Sequence, residues 1–251
     1  MSDQTTIGFI LAGVSARQPE RLESVFPPDV TVEHVGMAFQ LADRSTGNSF
    51  DANIPFIGIK DQYVCRTPVI VEEHGWQAVT IMGAPVELLN PGLREDLQRR
   101  LPIPVTTAAY SAAMSIKAYG ARRVLLMSPW DESMDRRVRA YLAGHGIEAV
   151  SPGERAFNSM VEAVAFKPPE VLAYTKRAFQ EAGKDGKIEA IYFQATLNYM
   201  PVLEDIEREC GAPLATSRLS SLWYMLSKLG RRYSLKGGGR LLSEWPALRE
   251  A

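Results

Sequence analysis

The stretch Gln77-Ala78-Val79-Thr80-Ile81-Met82-Gly83-Ala84-Pro85-Val86-Glu87-Leu88-Leu89-Asn90-Pro91-Gly92 opens as a short apolar, β-branched run and turns at a glycine. The first half has the character of a buried parallel strand. Gly83 then lets backbone approach a ligand closely. A second stretch repeats the design: Ile188-Glu189-Ala190-Ile191-Tyr192-Phe193-Gln194-Ala195-Thr196-Leu197-Asn198-Tyr199-Met200-Pro201 is an apolar strand that ends in small and polar residues ahead of a helix pattern. Open α/β sheets bind ligands beyond the carboxyl ends of their strands. Two such ends predict two similar lobes facing one cleft.

Outward from these strands the chain alternates strand and helix, which predicts parallel sheets. Strands are expected at Thr6–Leu11, Val30–Val35, Pro102–Thr107, Arg123–Ser128, Gly146–Val150 and Ala212–Ser217. Helices are expected at Arg21–Phe26, Tyr63–His74 (with Pro68 inside it), Arg94–Arg100, Ala108–Tyr119, Ser133–Ala143, Pro169–Ala182, Pro201–Cys210 and Leu219–Leu229. Residues 43–62 are polar and read as a loop or lid, and Lys236-Gly237-Gly238-Gly239-Arg240 as a structural turn. The phrases Leu101-Pro102-Ile103-Pro104-Val105-Thr106-Thr107 and Gly211-Ala212-Pro213-Leu214-Ala215-Thr216-Ser217 echo one another, which supports a duplicated architecture. The expected lobes are 1–107 with 218–251, and 108–217.

With 251 residues the chain is long enough to bury a substantial core. A formal net charge of −1 gives no reason to expect nucleic acid or an anionic membrane as partner. No apolar run approaches the ~20 residues of a membrane span, and no basic, apolar leader opens the chain. Two cysteines without metal spacing, Cys65 and Cys210, fit a reducing cytoplasm. The glycine after the first strand makes no dinucleotide fingerprint. His34, His74 and His145 have no paired spacing and read as surface or loop residues, and Glu72-Glu73-His74 as a solvated helix end rather than a metal site.

The chain resembles the aspartate/glutamate racemase superfamily and, within it, the arylmalonate decarboxylase and maleate isomerase branch. The resemblance rests on Thr6-Ile7-Gly8-Phe9-Ile10, Ile81-Met82-Gly83, Pro104–Thr107, Ala118-Tyr119-Gly120-Ala121-Arg122-Arg123-Val124, Val202-Leu203-Glu204-Asp205-Ile206-Glu207 and Pro213–Ser217. It implies two pseudo-symmetric, Rossmann-like α/β lobes, a site between them, and proton chemistry at the α-carbon of a small carboxylic acid without cofactor or metal. It also implies that Gly83 and Ala195 stand where most members carry their two cysteines. The amides of Ala84 and Thr196, with the Thr196 hydroxyl, fall at positions that bind carboxylate. Ala84 and Pro85 replace hydroxyl residues, and Trp130 stands in place of a tyrosine donor.

The resulting pocket is poor in donors and apolar, with Gln194 and Ala195 lining its second wall. Thr196, Tyr199 and Glu87 are the candidate catalytic groups. For Glu87 the plain alternative is an exposed first-turn residue favoured by the helix dipole. The expected partner is a small carboxylate, and a homo-oligomer stays open. The expected reaction is decarboxylation. Isomerisation, hydrolysis of a lactone or related compound, or acid binding without catalysis are the alternatives.

Overall fold

The computed structural model describes residues 4–12, 23–37, 57–154, 160–194 and 199–250. The first sheet comprises β1 (Thr5–Ala12), β2 (Val30–Met37), β3 (Ala78–Ile81) and β4 (Val105–Thr107), all parallel, in the order β2-β1-β3-β4. The second comprises β5 (Arg123–Met127), β6 (Glu148–Val150), β7 (Ala190–Phe193) and β8 (Leu214–Thr216), again parallel, in the order β6-β5-β7-β8. The second order is the first with every strand advanced by four. β3 and β7, the strands of the two organising stretches, occupy equivalent inner places and are buried along their whole length, as continuous apolar runs in parallel sheets are.

The helices are α1 (Lys60–His74), α2 (Ala84–Leu88), α3 (Leu93–Arg100), α4 (Ala108–Ala118), α5 (Glu132–Gly144), α6 (Met160–Ala165), α7 (Pro168–Ala182), α8 (Leu203–Cys210), α9 (Ser217–Lys228) and α10 (Gly239–Glu244). The expected helix at Arg21–Phe26 is represented by one 3₁₀ turn, Glu23–Val25, and most of the expected lid, 43–56, lies outside the described residues. Pro68 sits inside α1 without ending it. The glycine-rich segment near the C-terminus is more than a turn, because it leads straight into α10. That short helix is held by a distant carboxylate: Glu207 of α8 accepts from Arg240 N at 2.8 Å and from Leu214 N of β8 at 2.8 Å.

α4 and α9 leave β4 and β8 in the same way. Thr107 caps α4 by accepting from Tyr110 N, and Thr216 caps α9 by accepting from Leu219 N. The two helices pack on each other, and α9 also touches β3, β4 and β8. Their shared face is made of small side chains: Ala108, Ala112, Ser111 and Ser115 on α4, and Ser220 and Ser221 on α9, are all completely buried. Ser111 Oγ lies 2.9 Å from Ser221 Oγ, and Ser115 Oγ lies 2.8 Å from Ser220 Oγ. Each of Ser111, Ser115 and Ser221 also bonds a carbonyl of its own helix.

Close approach, rather than the hydroxyl pairs, is what this seam requires. Ser115→Leu is therefore expected to cost about 1–3 kcal/mol by overpacking. The double change Ser115→Ala, Ser220→Ala, which removes both partners together, should be close to neutral. Denaturant unfolding of the two variants separates these effects. A double-alanine loss as large as that of the leucine would show that the hydroxyls, not the spacing, hold the seam.

Candidate active site

β3 runs out into Met82 and Gly83. Gly83 adopts φ 96°, ψ 109° and forms the N-cap of α2. A Cβ placed on Gly83 would meet only Val86 Cγ2, at an ordinary 3.5 Å. Backbone conformation, not lack of room, is thus what favours glycine here. Ala84 and Pro85 follow, both buried, with the proline in the first turn.

At the equivalent end of β7 stands Gln194, whose backbone N donates to Met127 O at 2.9 Å. Its side chain is only 1% exposed, and neither its amide nitrogen nor its amide oxygen makes a hydrogen bond of ordinary geometry among the described residues. The hydroxyl of Tyr192, on the same face of β7, is turned toward Gln194 and Ser217. Ala195 and Thr196 lie outside the described residues, as does Asn198.

Tyr199 is buried, packs on Phe193 with ring centroids 5.6 Å apart and directs its hydroxyl toward Thr216. Burial raises its pKa, so the phenol stays neutral. Trp130 is half-buried on the loop after β5. Its backbone N donates to Ser128 Oγ at 3.1 Å, just before Asp131 caps α5.

Glu87 corrects the exposed alternative considered above: it is buried, at 7% exposure. Its carboxylate accepts from Thr107 Oγ1 and, at 2.9 Å, from Tyr141 OH of α5. Burial pushes its pKa upward, and the two hydroxyl donors only partly oppose that shift. The partners are tertiary ones, 20 and 54 positions away, so first-turn position alone says nothing about them. Glu87 lines a cavity of about 630 Å³ together with Arg94, Tyr110, Tyr141 and His145. None of the other described residues expected in the site lines that cavity.

One of the histidines also departs from expectation. His34 is a half-buried strand residue stacked on Phe9 at 5.1 Å, and desolvation with the nearby charge of Arg218 lowers its pKa to about 4. His145 packs edge-on against Tyr110 and Tyr141. His74 is an exposed helix-end residue beside Glu33. Cys65 is exposed on α1, and Cys210 is half-buried at the end of α8, where burial raises its thiol to about 11.

Arg218 is the residue that the sequence reading passed over. It occupies the first turn of α9, half-buried, and its Nη1 is buried with no hydrogen-bond partner among the described residues. One signal for it existed in the repeat. When the two capping threonines are matched, Thr107 with Thr216, Arg218 falls opposite Ala109. The echo read from sequence was one residue out of this register.

No three His, Cys, Asp or Glu side chains among the described residues come together as a metal site, and no described helix is long and apolar enough to cross a membrane.

The sequence model of the arylmalonate decarboxylase family matches residues 26–242 of this chain. A maleate isomerase of Alcaligenes faecalis is 23% identical over 184 residues, covering 72% of this chain and 67% of that protein. An arylmalonate decarboxylase of Bordetella bronchiseptica is 26% identical over 183 residues, covering 69% of this chain and 74% of that protein. Among solved structures, a crystal structure of arylmalonate decarboxylase superposes with a TM-score of 0.73 at 23% identity, covering 95% of this chain and 99% of the other. The maleate isomerase Iso from Pseudomonas putida S16 superposes with a TM-score of 0.71 at 17% identity, covering 96% and 99%.

Proposed function

The chain belongs to the arylmalonate decarboxylase family, and from that premise we propose that it is a cofactor-free enzyme acting on a small carboxylate, and that its reaction is a decarboxylation. The supporting observation is Gln194. Its buried amide has only the Tyr192 hydroxyl turned toward it and makes no hydrogen bond of ordinary geometry among the described residues, a shortfall that costs roughly 1–3 kcal/mol. It stands at the carboxyl end of an inner strand, where ligands of such sheets bind. Gln194 supplies both a donor and an acceptor to an acid held there.

On this reading Gly83, Ala84, Pro85 and Trp130 form the facing wall, and Ala195 completes the floor. The Thr196 amide and hydroxyl steady the developing enediolate. Tyr199 is a neutral donor at the margin. Glu87, turned toward Thr107 and Tyr141, anchors α2 and so the orientation of Gly83 and Ala84.

Lyase is favoured over isomerase by the places of the two thiols. Cys65 lies on the outside of α1 and Cys210 at the end of α8, so neither stands at an inner strand end to add to a double bond. The test begins by screening substituted malonates, maleate-type diacids and lactones for carbon dioxide release, isomerisation or ring opening. With a substrate in hand, Cys65→Ala, Cys210→Ala should leave kcat nearly unchanged, whereas Thr196→Ala should lower it by about 10²-fold, the loss typical of an oxyanion donor. Loss of activity in a folded cysteine-free protein would overturn the thiol-independent mechanism. Conversion of maleate without carbon dioxide release would make the enzyme an isomerase, and ring opening a hydrolase. Binding without turnover would leave only the pocket.

A further inference from the structure

We propose that Arg218 is the anion anchor of the interlobe cleft, where its guanidinium holds a carboxylate of the substrate. This rests on the small-acid reading above and adds to it the residue that selects for charge.

Position comes first. Ser221, one turn further along α9, lies with its hydroxyl oxygen 4.0 Å from Met82 Sδ and accepts from Thr80 Oγ1 at 3.1 Å. Thr80 lies in register with Phe9, and Phe9 with His34, across the first sheet. One turn back toward the N-terminus of α9, Arg218 acts electrostatically on His34 of that sheet. It acts equally on Tyr199, which follows β7 of the second sheet. Arg218 thus directly follows β8 and lies within electrostatic reach of a residue of the first sheet and of one that follows the second.

Three features oppose a positive charge there, and the fold answers none of them. The residue is half-buried, its pKa is lowered chiefly by desolvation, and an ionised group withdrawn from water is costly unless it is paired. Nη1 is buried without an acceptor, and no carboxylate among the described residues pairs with it. By contrast, Arg123, Arg139 and Arg231 each reach an acid. The first turn of a helix is also the positive end of its dipole, where a cation is disfavoured. Arginine cannot escape by losing its proton. The titratable groups that face it, His34 and Tyr199, are both held neutral at pH 7 and contribute no countercharge. Burial, a missing counter-ion and the helix end all converge on one ligand chemistry, an anion, and the planar fork of the guanidinium suits a carboxylate.

The assignment has a chemical corollary. A carboxylate held by a guanidinium is stabilised as the anion and is the one retained. The carboxylate that leaves as neutral carbon dioxide would be the one facing the apolar wall at Ala84 and Pro85.

Thermal unfolding with and without malonate as the probe tests the assignment in wild type, Arg218→Met and Arg218→Lys. Malonate should raise the Tm of the wild type by binding the folded state. Without malonate, Arg218→Met should unfold at the same temperature as wild type or higher, because an uncompensated buried charge has gone. Its affinity for malonate should fall on the order of 10²-fold. Arg218→Lys, which keeps the charge without the fork, should fall in between.

A lower ligand-free Tm for Arg218→Met would reveal a structural arginine and overturn the assignment. Equal stabilisation of wild type and Arg218→Met by malonate would overturn it too, while leaving the small-acid function standing. A wild type that neither malonate nor maleate stabilises would overturn both.

Discussion

Glu207→Ala is expected to destabilise the protein by on the order of 3 kcal/mol near pH 5, because it strands one buried and one part-buried backbone donor, the buried one alone costing about 1–3 kcal/mol. Those donors, Leu214 N and Arg240 N, belong to the start of β8 and to the first turn of α10. One carboxylate thus ties the last strand of the second sheet to the C-terminal helix.

The loss should depend on pH in a defined direction. Burial pushes the Glu207 carboxyl up to about 7 from an ordinary 4.5, so the folded chain holds this proton more tightly than the unfolded one. The stability that follows is present in full below 4.5 and is lost as pH rises through about 7. The gap between wild type and Glu207→Ala, measured by urea unfolding, should therefore narrow from pH 4.5 to pH 8. A gap that widens would mean that the site favours the carboxylate anion. Comparison with the variant is essential, because His34 works in the opposite sense over part of this range: its lowered pKa adds stability as pH rises from about 4 toward 6.5.

Gly8→Ala should be about as damaging, costing roughly 3 kcal/mol, at the upper end of the range for overpacking a closed core. Gly8 lies in the middle of β1, and a Cβ there would fall within the indole ring of Trp76. The ring cannot simply tilt away, since Trp76 is 3% exposed and its Nε1 donates to Glu33 at 2.7 Å. Heat denaturation should show a Tm lowered by many degrees, and the pairing Trp76→Leu with Gly8→Ala should recover part of the loss. A single variant as stable as wild type would show that the indole has a second place to go.

The fold was legible because its strands are marked by local chemistry. Val79-Thr80-Ile81 and Val124-Leu125-Leu126 are apolar runs that need burial on both faces, and the proline-led phrases before β4 and β8 repeat. The seam helices could be read for the same reason, each beginning at a capping threonine. What escaped depends on partners far along the chain. α10 begins at a glycine that any local reading assigns to a turn, and what fixes it is Glu207, 33 positions away. Glu87 looked like an exposed first-turn acid until Thr107 and Tyr141 closed over it. His34 follows the alternating pattern of β2, yet which face of that strand is covered is decided by Phe9 of β1. At the candidate site, Gly83 and Gln194 could be placed by their strand ends alone. Arg218 was marked only by its mismatch with Ala109 in the repeat, which shows once the two capping threonines set the register.

The two serine contacts between α4 and α9 also restrict how the lobes can move. Ser111 meets Ser221 and Ser115 meets Ser220, contacts about one turn apart on α4 but only one residue apart on α9, so a line through both follows α4 and crosses α9. Sliding one helix along the other by a single residue would break both contacts at once and drive Cβ atoms into each other. Rotation about that line disturbs them far less. The seam thus behaves as a pivot with no freedom to translate, and any opening or narrowing of the space between the sheets becomes a change of angle. Arg218 and Ala109, each two residues from the nearest contact, sit close to the axle and shift little in such a rotation.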